Sequence, residues 1–135
     1  MNASAHASII DRIFLWIPPL IVAGVILWAS SRAAPANLPS WKHADKIMHF
    51  AIYLILGLSF SRALVKGVRP EHVAVRLFLA VILSAAYGVS DEIHQAFVPE
   101  RTPEVADLIA DWIGATAGSL VYWKWNKRNA DKEKR

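Results

Sequence analysis

From Ile13 to Ala29 the chain runs for 17 residues without a charged side chain. A helix rising about 1.5 Å per residue needs about 20 such residues to cross roughly 30 Å of hydrocarbon, so this run alone points to lipid as the solvent. Three further apolar runs follow, Ile47 to Leu64, Val73 to Val89 and Val105 to Trp125. They are interrupted only by His49 and Arg62, by Arg76, and by Asp107, Asp111 and Lys124. Lipid offers backbone amides no partner, so each run must satisfy its own hydrogen bonds and is expected as a helix, not a strand. The expected fold is all-α, a polytopic membrane protein built as a four-transmembrane-helix bundle over residues 1–125. Its spans lie at about 13–29, 47–64, 73–89 and 105–125, and a basic cytoplasmic tail occupies 126–135. Pro18 and Pro19 should kink the first span, because neither has an N–H to give the ladder.

Composition removes several alternatives. With 55% hydrophobic and 19% charged residues the chain is not intrinsically disordered. Without cysteine it has no disulfide framework and no thiolate metal or redox site. A net charge of +4 would raise the question of nucleic acid in a soluble chain, but here the basic residues are sorted by connection, and no nucleic-acid partner is expected. Eleven Lys and Arg lie at the N-terminus, around the second connection and in the tail, against four (Arg32, Lys42, Lys46 and Arg101) on the other side. The positive-inside rule then puts both termini in the cytoplasm. Tyr122, Trp123 and Trp125 stand beside the tail's basic cluster, where amphipathic rings favour the headgroup level, and Trp28 marks the far end of the first span. The tail should fray as a solvated charge run attracted to anionic lipid. A competing reading makes the first run a cleaved signal peptide ending near Ser31-Arg32-Ala33, although its core exceeds the usual ~7–15 residues.

The residues capable of chemistry collect at one end of the spans. Asp45, Lys46 and His49 enter the second, Asp91, Glu92, His94 and Gln95 leave the third, and Arg101, Glu104, Asp107 and Asp111 surround the entrance to the fourth. Asp45 and His49 share a helix face that Tyr53 continues one turn deeper, and Glu104, Asp107 and Asp111 fall on one stripe extended by Ala115 and Gly118. Gly114 and Gly118 form a small-xxx-small pair that lets another helix approach closely. Asp111 lies about 9 Å beyond Val105, where an ionised carboxylate costs on the order of 2.5–3.5 kcal/mol and needs a partner or a proton. His49, Lys46 and Arg101 are the available cationic or donor partners. A surface pairing of His94 with Asp91 or Glu92 is the bland alternative for that histidine. In the third connection, Pro99 and Pro103 bar a continuous helix. Thr102 is the expected N-cap of the fourth helix, with Pro103 at its first position. The segment before it, from Asp91 to Phe97, either continues the third helix or folds back over the bundle mouth.

At these residues the chain resembles the VanZ-like family of small bacterial membrane proteins. The resemblance is carried by DKIMHFAIYLILG (Asp45 to Gly57) and YGVSDEIHQAFVPERTPEVADLIADWIGATAG (Tyr87 to Gly118). It departs at Glu100, where the family commonly has glycine. The resemblance implies a four-helix protein of the bacterial cytoplasmic membrane, with a founding member associated with low-level resistance to the glycopeptide teicoplanin. It supplies no settled biochemical activity.

Three functional classes follow. In the first, the outward polar site engages a cell-envelope component such as a lipid-linked precursor, a phosphate headgroup or a glycopeptide, with membrane lipids as the surrounding partners. Lys46, Arg101 and protonatable His49 would supply donors, and the acids would hold them in geometry. In the second, the chain is an intramembrane hydrolase or transferase using an acid/base pair or a metal, although it contains neither HExxH nor GxSxG. The third, a proton relay, lacks stations: apart from Glu71, no acid lies between Leu54 and Ile82 or between Asp111 and Asp131. Residue types alone leave metal, cofactor and oligomeric state open.

Overall fold

The computed structural model describes residues 9–32, 43–67 and 72–134. Within them the protein is helical: α1 (Ile9–Phe14), α2 (Ile17–Ser30), α3 (Ala44–Gly67), α4 (Val73–Gln95) and α5 (Val105–Glu133). No strand occurs among the described residues. The helices run alternately up and down. The polar ends of α3, α4 and α5 gather with the C-terminus of α2 at one end. At the other, Trp16 meets Phe60, and Lys66 lies over Trp125.

The break between α1 and α2 is the expected proline kink. Pro18 and Pro19 are the second and third residues of α2, and the turn before them closes through Leu15 N–H to Arg12 O and Trp16 N–H to Ile13 O. The two pieces together form a candidate span, Ile10–Ser30. α3 and α4 are equally long and apolar enough to cross a membrane. The fourth expected span behaves differently. α5 is a 29-residue helix, but among the described residues three helices are apolar enough by composition to cross a membrane and α5 is not one of them, because its inward stripe carries Asp107 and Asp111.

One boundary settles an alternative left open by the sequence, and two differ from expectation. α4 continues through Asp91, Glu92 and His94 to Gln95, so this segment extends the third helix and does not fold back. α5 begins at Val105 with Glu104 as its N-cap residue, extended at φ −131°, ψ 131°, and not with Thr102 and Pro103. The reason is a tether: the Glu104 N–H donates to Glu92 Oε2 at 3.0 Å, which holds the chain extended until Asp107 N–H closes the first turn on Glu104 O. At its far end α5 stays helical through Glu133, where fraying was expected. The cleavage position proposed near Ala33 lies outside the described residues.

α3 and α5 pack backbone to backbone. A Cβ added to Gly114 would collide with Phe50 O, one on Gly118 with Leu54 O, and one on Gly57 with the Ala115 backbone. Removing the side chain is what allows so close a crossing, since in lipid the association rests on packing and polar contacts. Ser61 Oγ donates to Ser119 Oγ at 2.9 Å within this seam. The small apolar core, Ile26, Tyr53 and Leu56 with Val22, Phe60 and Tyr87 around it, joins α2 to α3 and α4. Tyr87 Oη donates to Ala23 O at 2.6 Å and pins α2 to α4. Large apolar side chains such as Leu20, Phe78, Ile109 and Ile113 point outward on every helix face that has no neighbour. That inverted distribution suits a hydrocarbon surrounding and not water.

Candidate functional site

At the shared polar end the side chains sort into three linked groups. The first is built around Lys46. Its Nζ lies 2.6 Å from Asp45 Oδ2, 2.6 Å from Glu104 Oε2 and 3.0 Å from Asp107 Oδ1. The ammonium therefore joins the start of α3 to the start of α5. It donates hydrogen bonds to Asp45 and Glu104, where charge assistance makes such bonds short, and forms an ion pair with Asp107.

The second group is the pair His49 and Asp111. His49 Nδ1 stands 2.9 Å from Asp111 Oδ1, and Asp111 is fully buried. With the carboxylate ionised, Nδ1–H would donate and the ring would be held in one tautomer with Nε2 left over. The Tyr53 ring lies parallel to the imidazole, 6.4 Å away between centroids, one turn deeper on α3. Across the seam Gly88 of α4 makes room for the carboxylate, since a Cβ there would sit 2.9 Å from Asp111 Oδ2. Of the three partners expected for Asp111, His49 takes the place; Lys46 serves the other acids, and Arg101 goes elsewhere.

The third group ties the connection after α4 to α2. Arg101 Nε donates to Arg32 O at 2.9 Å and Nη2 to Ala29 O at 3.1 Å, so the guanidinium caps the C-terminal carbonyls of α2. The turn that delivers it is Val98 to Arg101, closed by Arg101 N–H to Val98 O at 3.2 Å. Pro99 and Glu100 are its central residues, and Glu100 has φ 65°. Proline followed by a left-handed residue defines a type II turn, which favours glycine at the position Glu100 holds. His94 Nε2 lies 2.9 Å from Ser31 Oγ and not against Asp91 or Glu92, so the surface pairing considered for it does not form. Asp91 instead accepts from Gln95 Nε2 at 3.0 Å.

Between α2 and the packed α3–α4 pair these groups border a cavity of about 740 Å³. Ile26, Met48 and Ile52 give it apolar walls, while Asp45, His49, Tyr53, Asp91, Gln95, Arg32 and Arg101 give it polar ones. Asp107 and Asp111 of α5 and Glu92 of α4 are buried and lie outside its lining. Polar oxygens in this region remain without a protein partner: Tyr53 Oη, Asp91 Oδ1, Glu92 Oε1 and Asp111 Oδ2, all buried. Sequence reasoning did not find Gly88, Arg32 or the Ser31 contact. Gly88 follows Tyr87 at the start of the quoted motif, but nothing in the pattern says which carboxylate it accommodates.

An all-helical chain with membrane-spanning helices and a buried acid–histidine cluster at one end is the class these observations define. The family model described as VanZ/LLP1 matches residues 3–126, and the chain belongs to that family. No curated protein and no solved structure matches it significantly.

Proposed function

We propose that this VanZ-like membrane protein uses its polar end to engage an anionic amphiphile of the cell envelope, and that α5 crosses the bilayer as a fourth span. The observation that carries the reading is the cavity of about 740 Å³, whose lining combines apolar Ile26, Met48 and Ile52 with Arg32, Arg101 and His49 beside the acids Asp45 and Asp91. Such a lining suits a molecule with a hydrocarbon part and a phosphate or carboxylate head. The acids of α5 do not oppose its crossing, because Asp107 and Asp111 are buried against α3 while Ile109, Trp112, Ile113 and Leu120 face outward. The distribution of Lys and Arg supports cytoplasmic termini in a bacterial inner membrane, which turns the polar end outward. The test is binding of a polyprenyl phosphate in mixed micelles by the purified chain, with Arg101→Gln and Met48→Trp as variants. Saturable binding weakened by both supports the reading; equal binding by wild type and variants rejects it. A deletion strain complemented with His49→Ala should in addition lose any teicoplanin phenotype that the wild-type chain restores.

A second reading, an intramembrane hydrolase or transferase, is favoured by one observation, the carboxylate held on His49 Nδ1 beside the cavity. A histidine oriented in this way is equipped as a general base. Release of phosphate or saccharide from the bound lipid, abolished by His49→Gln, would separate it from simple binding.

A further inference from the structure

Two trios of metal-type donors meet at this end of the bundle and share Asp107. One is Asp45, Glu104 and Asp107; the other is His49, Glu92 and Asp107, and in each the donor atoms lie within 4.8 Å of one another. The first already surrounds a cation, since Lys46 Nζ touches all three carboxylates. The second has no such occupant: among the described residues Glu92 makes no ion pair with Lys or Arg. Yet its burial is the greater. Glu92 and Asp107 are buried, where Asp45 and Glu104 have side chains 45% and 50% exposed. Glu92 uses Oε2 to accept the Glu104 N–H, and its buried Oε1 has no partner. Asp111, in contact with His49 of the same trio, likewise leaves Oδ2 without one. A carboxylate oxygen withdrawn from water needs a donor, a proton or a cation, and several together make a cation the economical answer.

We propose that His49, Glu92 and Asp107 bind a divalent cation. One imidazole nitrogen with two carboxylates is a mixed set that suits zinc or manganese. Calcium would demand more oxygens than the trio supplies. Asp107 then bridges the metal and the Lys46 ammonium, and Asp111 fixes the imidazole from behind. Three protein donors leave a coordination position open to solvent or to an anionic ligand. The inference is independent of what fills the neighbouring cavity, so its failure would leave the amphiphile reading standing.

The experiment uses the full chain in detergent, stripped with chelator and titrated separately with zinc chloride and manganese chloride. Calorimetry and the thermal unfolding midpoint follow binding. One saturable equivalent of at least one of the two metals is expected, weakened about tenfold or more in Glu92→Gln and in Asp107→Asn. Asp131→Asn, on the exposed far end of α5, should bind as the wild type does. X-ray absorption of the metal-loaded wild type should show the outer-shell scattering of a coordinated imidazole, a readout that needs no variant to fold. Absence of saturable binding for both metals, wild-type affinity in Glu92→Gln, or a metal environment without imidazole would each overturn the proposal.

Discussion

A methyl group on Gly88 would stand 2.9 Å from Asp111 Oδ2, so α4 touches α5 where the latter buries its most enclosed carboxylate. Gly88→Ala must displace that carboxylate or part the helices. Overpacking of this kind costs about 1–3 kcal/mol, and we expect a lower unfolding midpoint in detergent. A midpoint equal to that of the wild type would show that the carboxylate has room to turn.

Gly118 and Gly24 should respond in opposite ways to the same substitution. A Cβ on Gly118 meets Leu54 O and, at 2.8 Å, Leu58 N, both backbone atoms that no rotamer change can move. Gly118→Ala should cost about 3 kcal/mol or more as α3 and α5 separate. Gly24, mid-helix in α2, has nothing within 4 Å of its added Cβ. Gly24→Ala should be harmless or add up to about 1 kcal/mol. Paired thermal melts decide both.

Removing the ammonium of Lys46 leaves three carboxylates facing one another without a positive charge. Because two of the three are half exposed, Lys46→Met is expected to cost about 1–3 kcal/mol and not the larger penalty of a fully enclosed ion. Millimolar magnesium or calcium chloride should recover part of the loss. Equal recovery by sodium chloride at matched ionic strength would mean screening, not binding.

His49 and Asp111 form a contact that a double-mutant cycle can weigh. Thermal stabilities of His49→Phe, Asp111→Asn and the double variant should give a coupling of about 1–3 kcal/mol. Additive effects would mean that the pair is incidental to folding, whatever it does for a ligand.

Glu100 occupies a backbone conformation, φ 65°, that glycine adopts without steric penalty. The residue that the VanZ-like pattern carries there is thus the one this turn favours. Glu100→Gly should raise stability by about 1 kcal/mol, and Glu100→Val should lower it.

What could be read from the chain beforehand was what periodicity and cost impose. A carboxylate as deep as Asp111 had to find a donor, and residue types narrowed the choice to His49, Lys46 and Arg101, of which the structure uses His49. The kink at Pro18-Pro19 and the close approach at Gly114 and Gly118 follow from missing N–H groups and missing side chains, both local facts. The rest depended on contacts between segments far apart in sequence. Nothing near Thr102 reveals that the Glu104 N–H will be taken by Glu92, yet that bond moves the start of α5 to Val105. Nor does any spacing announce that Arg101 will reach the carbonyls of Ala29 and Arg32 in place of a carboxylate. The polar stripe of α5 was legible, but its effect on overall apolarity was underrated, because acids turned inward still count against a span.

α5 runs unbroken from Val105 to Glu133, roughly 44 Å at about 1.5 Å per residue, with no proline or glycine hinge beyond Gly118. Its first turns hold Asp107 and Asp111, and its last turns carry Lys127, Arg128 and Lys132. The acid–histidine cluster and the basic cluster are therefore fixed at opposite tips of one continuous rod, and their separation is set by the helix rise alone.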